Sequence, residues 1–364
     1  MTLTPDGTRP PADAPGLPRA GAMDEGAPDG IVVVDKPAGI TSHDVVARVR
    51  RLAGIRRVGH AGTLDPMATG VVVVGVGRGT RLLTYLSGLD KDYEATIRLG
   101  IATVTDDADG EVTAVAPLGA VAHMDAARLE RAVSALTGEI HQVPSAVSAI
   151  KVAGRRAYAL VRAGEKVALA PRPVEVSLFA VDSLRRGTAV VPNPDGSPPA
   201  SGATVDDGVA ADVLDIDVRV TVSAGTYVRA LARDLGVALG VGGHLTALRR
   251  TRVGPFTLTE ARTLDQLAAS WAMMPLAQAA ARRFAALALT SAEARALGLG
   301  QTIEARGPRA QDCAPGGDGI DRGLHGDGGP MAALGPDGTL VALVAADQAE
   351  TRLRPVVVFA PHTG

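Results

Sequence analysis

The densest chemistry in the sequence lies in one run of twelve residues, Gly59-His60-Ala61-Gly62-Thr63-Leu64-Asp65-Pro66-Met67-Ala68-Thr69-Gly70. Its three glycines and one proline impose a tightly turned backbone that delivers a single carboxylate, Asp65. Pro66 biases the residue before it toward extended conformations, so Asp65 should project from a stiff loop rather than from a helix. Such loops on rigid scaffolds are where catalytic groups tend to sit, although an Asp-Pro pair is also an ordinary turn signal. Other chemistries find little support. No second histidine stands at metal-ligand spacing from His60, and the single cysteine, Cys313, excludes an internal disulfide and a cysteine-based metal site. The glycine-rich stretch Gly75–Thr80 lacks the Gly-Lys-Ser/Thr ending of a phosphate loop and reads as a turn.

The elements around that loop can be read from periodicity. Ile31–Val34 is a short apolar strand closed by the turn-forming Asp35-Lys36-Pro37-Ala38-Gly39. Ser42 is a candidate N-cap for a helix running to about Leu52, with Val45, Val46 and Val49 on one side. The apolar run Val71–Val76 predicts a buried strand, and Thr80–Leu86 a short helix. Tyr93–Leu99 alternates as a strand with one exposed face. Asp125 opens a helix carrying Leu129, Val133 and Leu136 at helical spacing, ended by Gly138. Residues 172–184 and 213–222 alternate as strands. Between them, residues 187–210 read as a low-complexity, dispensable surface loop, and a helix follows over Tyr227–Leu239. Strands and helices mixed without regular βαβ alternation predict an α+β fold with a mixed, mostly antiparallel sheet flanked by helices. From about residue 287 the texture changes: a short helix at Ser291–Leu297, a Gly-rich stretch over 307–330, and apolar strands around the turn signal Gly335-Pro336-Asp337-Gly338. This predicts a separate, small β-rich domain over 287–364, after a main domain over 29–286 and a Pro/Gly-rich tail over 1–28 that reads as disordered.

The chain has 364 residues, 46% of them hydrophobic, enough for sizeable cores. No apolar run reaches the length of a membrane span, and the N-terminal stretch has no apolar signal-peptide core, so a reducing, cytoplasmic setting is expected. The net charge of −2 hides a segregated distribution. Residues 43–81 hold seven arginines against two aspartates, and residues 151–172 hold six bases against one acid. Arg249, Arg250 and Arg252 add a third cluster. Phosphate-backbone binding depends on local basic surface rather than on the total, whereas charge runs on their own are usually solvated faces.

Several separated segments resemble one family. Val34-Asp35-Lys36-Pro37-Ala38-Gly39-Ile40-Thr41-Ser42 and the Gly59–Gly70 run look like the two opening motifs of TruB-type tRNA pseudouridine synthases. Lys91-Asp92-Tyr93, Gln142-Val143-Pro144-Ser145 with Ser148-Ala149-Ile150-Lys151, Gly225-Thr226-Tyr227-Val228-Arg229, and Leu248-Arg249-Arg250 resemble further family segments in the same order. Six co-linear matches across residues 30–260 make a specific signal. The C-terminal module resembles the PUA-like domain of such enzymes in position, size and β-content.

The resemblance implies a pseudouridine-synthase fold and isomerisation of uridine to pseudouridine at position 55 in the T-loop of tRNA. The reaction is redox-neutral and calls for no metal and no cofactor. Asp65 matches the essential carboxylate, acting either as nucleophile at ribose C1′ or as base at C2′. Arg229 matches the arginine that pairs with it, and Tyr93 the ring that stacks on the target base and is a candidate for proton removal at C5. Tyr227 and Leu248 should line the same pocket, and His60 should contact the flipped nucleotide or fill the space it vacates. Lys36 either supports the sheet beneath the loop or contacts RNA, the competing reading being a solvated turn lysine. Tyr85 could be packing or functional. The arginines of all three basic clusters would hold phosphates of the T-arm. A monomer without an obligatory protein partner is expected. The competing reading is a non-catalytic RNA-binding or tRNA-folding protein on the same scaffold.

Overall fold

The computed structural model describes residues 29–122, 124–145, 151–152, 155–156, 169–192, 208–305 and 329–359. The tail over 1–28, most of the basic stretch 151–172, Ser148–Ile150, Tyr158, Cys313 and nearly all of the Gly-rich stretch lie outside these residues. The main body is a ten-stranded sheet. Strand β1 (Gly30–Lys36) lies antiparallel to β3 (Thr69–Val76), whose far half also pairs with the short β2 (Val58–Ala61). On its other edge β3 joins the Gly243–Val253 strand in parallel, and from there β4 (Lys91–Leu99), Gly208–Val222, Arg172–Pro192 and Gly138–Gln142 follow in antiparallel order. The mixed, mostly antiparallel expectation holds. The parallel contact is confined to Arg249 and Arg250 against Thr69 and Gly70, where the site is built.

Helix α1 (Ser42–Ala53) packs Val45, Val46 and Val49 on the sheet. Its N-cap is Thr41 rather than Ser42: the Thr41 hydroxyl accepts from the Asp44 amide while the Asp44 carboxylate accepts from the Thr41 amide. This frees Ser42, which is buried, for a different use described below. The expected helix over Thr80–Leu86 is two pieces, a 3₁₀ turn over Gly77–Arg81 and the single turn α2 (Leu83–Leu86). Backbone of Gly30 closes on Gly79, where a Cβ would stand 2.1 Å from its carbonyl oxygen, so the chain crosses β1 at a glycine. Helix α3 (Ala126–Ala135) starts at its Asp125 cap as expected.

The stretch 187–210 departs from the sequence expectation. Arg172–Pro192 and Gly208–Val222 form one long antiparallel hairpin whose ladder continues from Gly187↔Val213 to Pro192↔Gly208. Val191, Ala211 and Val213 are buried against Ile101, so both flanks of the supposed loop are structural, and only residues 193–207 lie outside the described set. The prolines and glycine that suggest a loop cluster at 192–199, starting at the last pair of that ladder.

The C-terminal five-stranded sheet contains Ala286–Ala288, Met331–Leu334, Leu340–Ala346, Arg352–Val358 and Ile303–Glu304, with the short helix Ser291–Gly298 beside it. It is not separate in its packing. Leu340, Leu343 and Phe359 share one core with Ile31, Val33, Val71 and Val73. The guanidinium groups of Arg78 and Arg81 donate to the carbonyls of Phe359 and Val358. Tyr85 packs edge-on against Phe284, a core role. Among the described residues no helix is long and apolar enough to cross a membrane.

Candidate active site

Asp65 sits on the β2–β3 loop, and four anchors fix that loop. The Ser42 hydroxyl accepts from the Leu64 amide at 2.9 Å and donates to the Leu64 carbonyl at 3.1 Å, tying both polar groups of the neighbouring residue to α1. The Lys36 ammonium is fully buried and donates to the carbonyls of Pro37, Ile40 and Pro66 at 2.8–3.1 Å. It therefore supports the loop from beneath, and the solvated alternative is excluded. The Gly39 amide donates to the Pro66 carbonyl. Arg250, also fully buried, donates to the carbonyls of Val71, Thr63 and Gly62 on the loop's other side. Gly70, at φ 105°, lies so close to Arg250 that a Cβ would come 2.1 Å from its carbonyl oxygen. Glycine is required there for the two strands to meet.

Arg229 comes from the helix Val228–Ala238 and forks onto Asp65: Nε to Oδ2 at 2.9 Å and Nη2 to Oδ1 at 3.2 Å. Its remaining donors reach the Thr105 carbonyl at 2.8 Å and the Ser145 hydroxyl at 3.2 Å, and Asp107 lies 3.5 Å away. A cation in the first turn of a helix opposes the helix dipole, and these two carboxylates offset that cost. The helix is set by Tyr227, whose amide donates to Gln142 Oε1 while its carbonyl accepts from Gln142 Nε2, with Gln142 buried. Arg229 is 5% exposed and Asp65 33%, so the guanidinium is rigidly held and the carboxylate is presented.

Asp65 and Arg229 line a cleft of about 280 Å³ together with Tyr93, Tyr227 and Leu248. Five of the six residues singled out in the sequence thus converge. His60 does not line this cleft. It stands on β2 with its ring edge-on to His43 at 5.5 Å, and its Nδ1 is buried with no hydrogen-bond partner. Burial first, and then the neighbouring His43, push its pKa below the usual histidine value, favouring the neutral ring.

Two cations of the cleft were not expected in it from the sequence: Lys91, and Arg250, which was expected to hold RNA phosphate. Arg250 could not be told from its neighbours Arg249 and Arg252 by composition. The structure separates all three, and none is a free phosphate ligand. Arg249 forks onto Asp35, Arg252 forks onto Asp92 and reaches Asp90, and Arg250 is spent on backbone. The partners lie 160 or more residues away in sequence for Arg252 and Asp92 and 214 for Arg249 and Asp35, which is why charge counting missed the neutralisation. The first cluster fares differently: Arg48, Arg51 and Arg56 are exposed around α1, and among the described residues none makes an ion pair. The buried acids Asp106 and Asp107 behind Arg229 were also missed. Burial pushes both above the usual carboxylate range, and Arg233 and Thr105 respectively pull them back. Lys36 is pushed down to about 8 by burial, opposed by Asp65 and reinforced by Arg250. Among the described residues no three His, Cys, Asp or Glu side chains converge as a metal site.

Three family models match the chain: "TruB family pseudouridylate synthase (N terminal domain)" over residues 50–192, "tRNA pseudouridylate synthase B C-terminal domain" over 229–284, and "tRNA Pseudouridine synthase II, C terminal" over 284–360. The tRNA pseudouridine synthase B of Thermobifida fusca (strain YX) is 52% identical over 332 residues, covering 91% of this chain and 99% of its own. That of Arthrobacter sp. (strain FB24) is also 52% identical, over 91% of this chain and 97% of its own. Among solved structures, a chain of an H/ACA ribonucleoprotein bound to a substrate RNA containing 2′-deoxyuridine superposes with a TM-score of 0.58 at 24% identity, covering 92% of this chain and 86% of that one. At that identity the likeness speaks for the fold.

Proposed function

Because the chain belongs to the TruB family of pseudouridine synthases, we propose that it isomerises uridine to pseudouridine at position 55 in the T-loop of tRNA, with Asp65 as the essential carboxylate. The observation that carries this reading is the forked Asp65–Arg229 pair in a cleft also lined by Tyr93 and Leu248. A protein that only binds RNA has no use for a carboxylate aimed at an anionic ligand, held in place by a buried guanidinium.

A uracil stacked in the loop cannot reach this cleft, so the nucleotide flips out, and Tyr93 offers a ring on which it can stack. The C1′–N1 bond then breaks, its electron pair leaving with the base. Asp65 either captures C1′ or takes the C2′ proton. The uracil turns over between Tyr93, Tyr227 and Leu248 and is joined to C1′ through C5, either displacing the Asp65 oxygen from C1′ or with Asp65 returning the proton to C2′. Loss of the C5 proton, with Tyr93 the candidate base, and gain of a proton at N1 complete an isomerisation that consumes nothing. Exposed Arg48, Arg51 and Arg56 offer a surface for T-arm phosphates, which would position the RNA without reading its sequence. His60, on β2 outside the cleft, would contact the flipped nucleotide or fill the space it vacates. The protein works as a monomer without an obligatory protein partner.

The test is conversion of a T-arm stem-loop transcript, with pseudouridine located by carbodiimide-dependent primer-extension stops. The expected result is one stop at position 55 that vanishes when that uridine is replaced by cytidine. Tight binding of the stem-loop without any stop would refute the catalytic reading in favour of the RNA-binding one.

A further inference from the structure

Lys91 is the first residue of β4, two positions before Tyr93 and therefore on the same face of the strand. It is 7% exposed and lines the same cleft as the Asp65–Arg229 pair. An ammonium group has three N–H donors. Lys36 spends all three on carbonyls within 3.1 Å. Lys91 makes one short hydrogen bond, to the Leu89 carbonyl at 2.6 Å, and one long one, to the Ser87 carbonyl at 3.4 Å. No carboxylate neutralises it among the described residues: Asp90, adjacent in sequence, is taken by Arg252, and the nearest charged neighbour across the strand is the Arg250 cation. A buried cation with an unspent donor is costly to maintain, and buried Lys36 by contrast completes its shell. The charge is therefore matched to something that enters the cleft as an anion.

We propose that Lys91 is a catalytic residue, donating its unspent N–H to a carbonyl oxygen of the uracil while the base is detached. This inference rests on the isomerisation reading given above. When the C1′–N1 bond breaks, its electron pair stays on N1 and spreads onto O2 and O4, so the departing base is an anion. A fixed ammonium at that oxygen stabilises the charge as it develops and not before. The charge disappears again when C5 bonds to C1′ and N1 is protonated. The donor is pre-organised by the Leu89 carbonyl on a side chain that is itself largely buried, the setting in which such groups contribute most. Burial, with Arg250 adding to it and Asp90 opposing, brings the ammonium down to about 8, so it is charged at neutral pH and lost in mild alkali.

The experiment compares wild type, Lys91→Met and Asp65→Asn in single turnover on T-arm stem-loops carrying either uridine or 5-fluorouridine at the target. The 5-fluoro group makes the base a more acidic leaving group without enlarging it much. Lys91→Met should lower the rate of C1′–N1 cleavage on uridine about a hundredfold, the usual effect of removing one such donor, with RNA affinity unchanged. The defect should shrink at least severalfold on 5-fluorouridine, because a better leaving group needs less stabilisation. A purely structural lysine would give the same defect on both substrates, and that result, or a Lys91→Met rate within twofold of wild type, would overturn the proposal. If Lys91→Met loses its melting transition, the wild-type profile decides. The charged and titratable groups facing Lys91 are Arg250, Asp90, Asp65, Arg229, Tyr93 and Tyr227. A cleavage rate that falls above pH 8 supports the proposal, and one level from pH 7 to 9.5 overturns it. Failure of the wild-type protein on both substrates would instead refute the isomerisation reading itself.

Discussion

Replacing Ser42 by alanine probes the bracing of the active-site loop without touching the cleft. The hydroxyl is 1% exposed and serves both the amide and the carbonyl of Leu64, which is itself 3% exposed. Ser42→Ala leaves a buried donor and a buried acceptor without partners, each costing about 1–3 kcal/mol, so a loss of roughly 2–6 kcal/mol in stability is expected. Leu64 precedes Asp65, so the carboxylate loses part of its positioning, and a displacement of about 1 Å of a reacting group can cost about a hundredfold in rate. Chemical denaturation and single-turnover conversion of the stem-loop, run side by side, should show both losses with RNA affinity within a factor of about two of wild type. A variant as stable and as fast as wild type would refute the argument that this hydroxyl sets the loop.

Other perturbations separate the remaining supports. Arg229→Lys keeps the charge but cannot fork onto Asp65 while also holding Thr105 and Ser145, so turnover should fall at least tenfold by rapid quench; unchanged turnover would mean the fork is incidental. Lys36 has a folded-state pKa near 8 against 10.5 for the free side chain, so between these values the unfolded chain binds more protons and stability rises with pH. Lys36→Met should abolish that part of the rise between pH 8 and 10.5 in denaturation curves; an identical slope in wild type and variant would contradict the burial argument. Deleting residues 187–210 removes ladder partners and the buried Val191, and should lower the melting temperature by several degrees, against the dispensability expected from sequence. An unchanged melting temperature would restore that expectation.

Much of the fold was legible because short apolar runs and capping residues carry local information: β1, β3, β4, α3 and the C-terminal hairpin all fall where periodicity puts them. The site was legible for a different reason, since Asp65, Tyr93, Tyr227, Arg229 and Leu248 were found through family motifs and meet at one cleft. What escaped depends on contacts between distant segments. Nothing local distinguishes Arg250, sealed beneath the loop, from Arg249 and Arg252, each neutralised across the sheet. The Ser42 hydroxyl looked like a cap because Thr41 beside it has the same capacity, and only packing against Leu64 separates them. The hairpin over 172–222 was cut short because proline and glycine at its far end outweigh a ladder whose partner strand lies beyond them.

Catalysis by this protein depends on one carboxylate, Asp65. Tritium release from T-arm RNA carrying 5-tritiated uridine at the target, measured in single turnover for wild type and Asp65→Asn at equal RNA occupancy, tests it most directly. Release by wild type and none above background from the variant is the predicted outcome; equal release from both would contradict it.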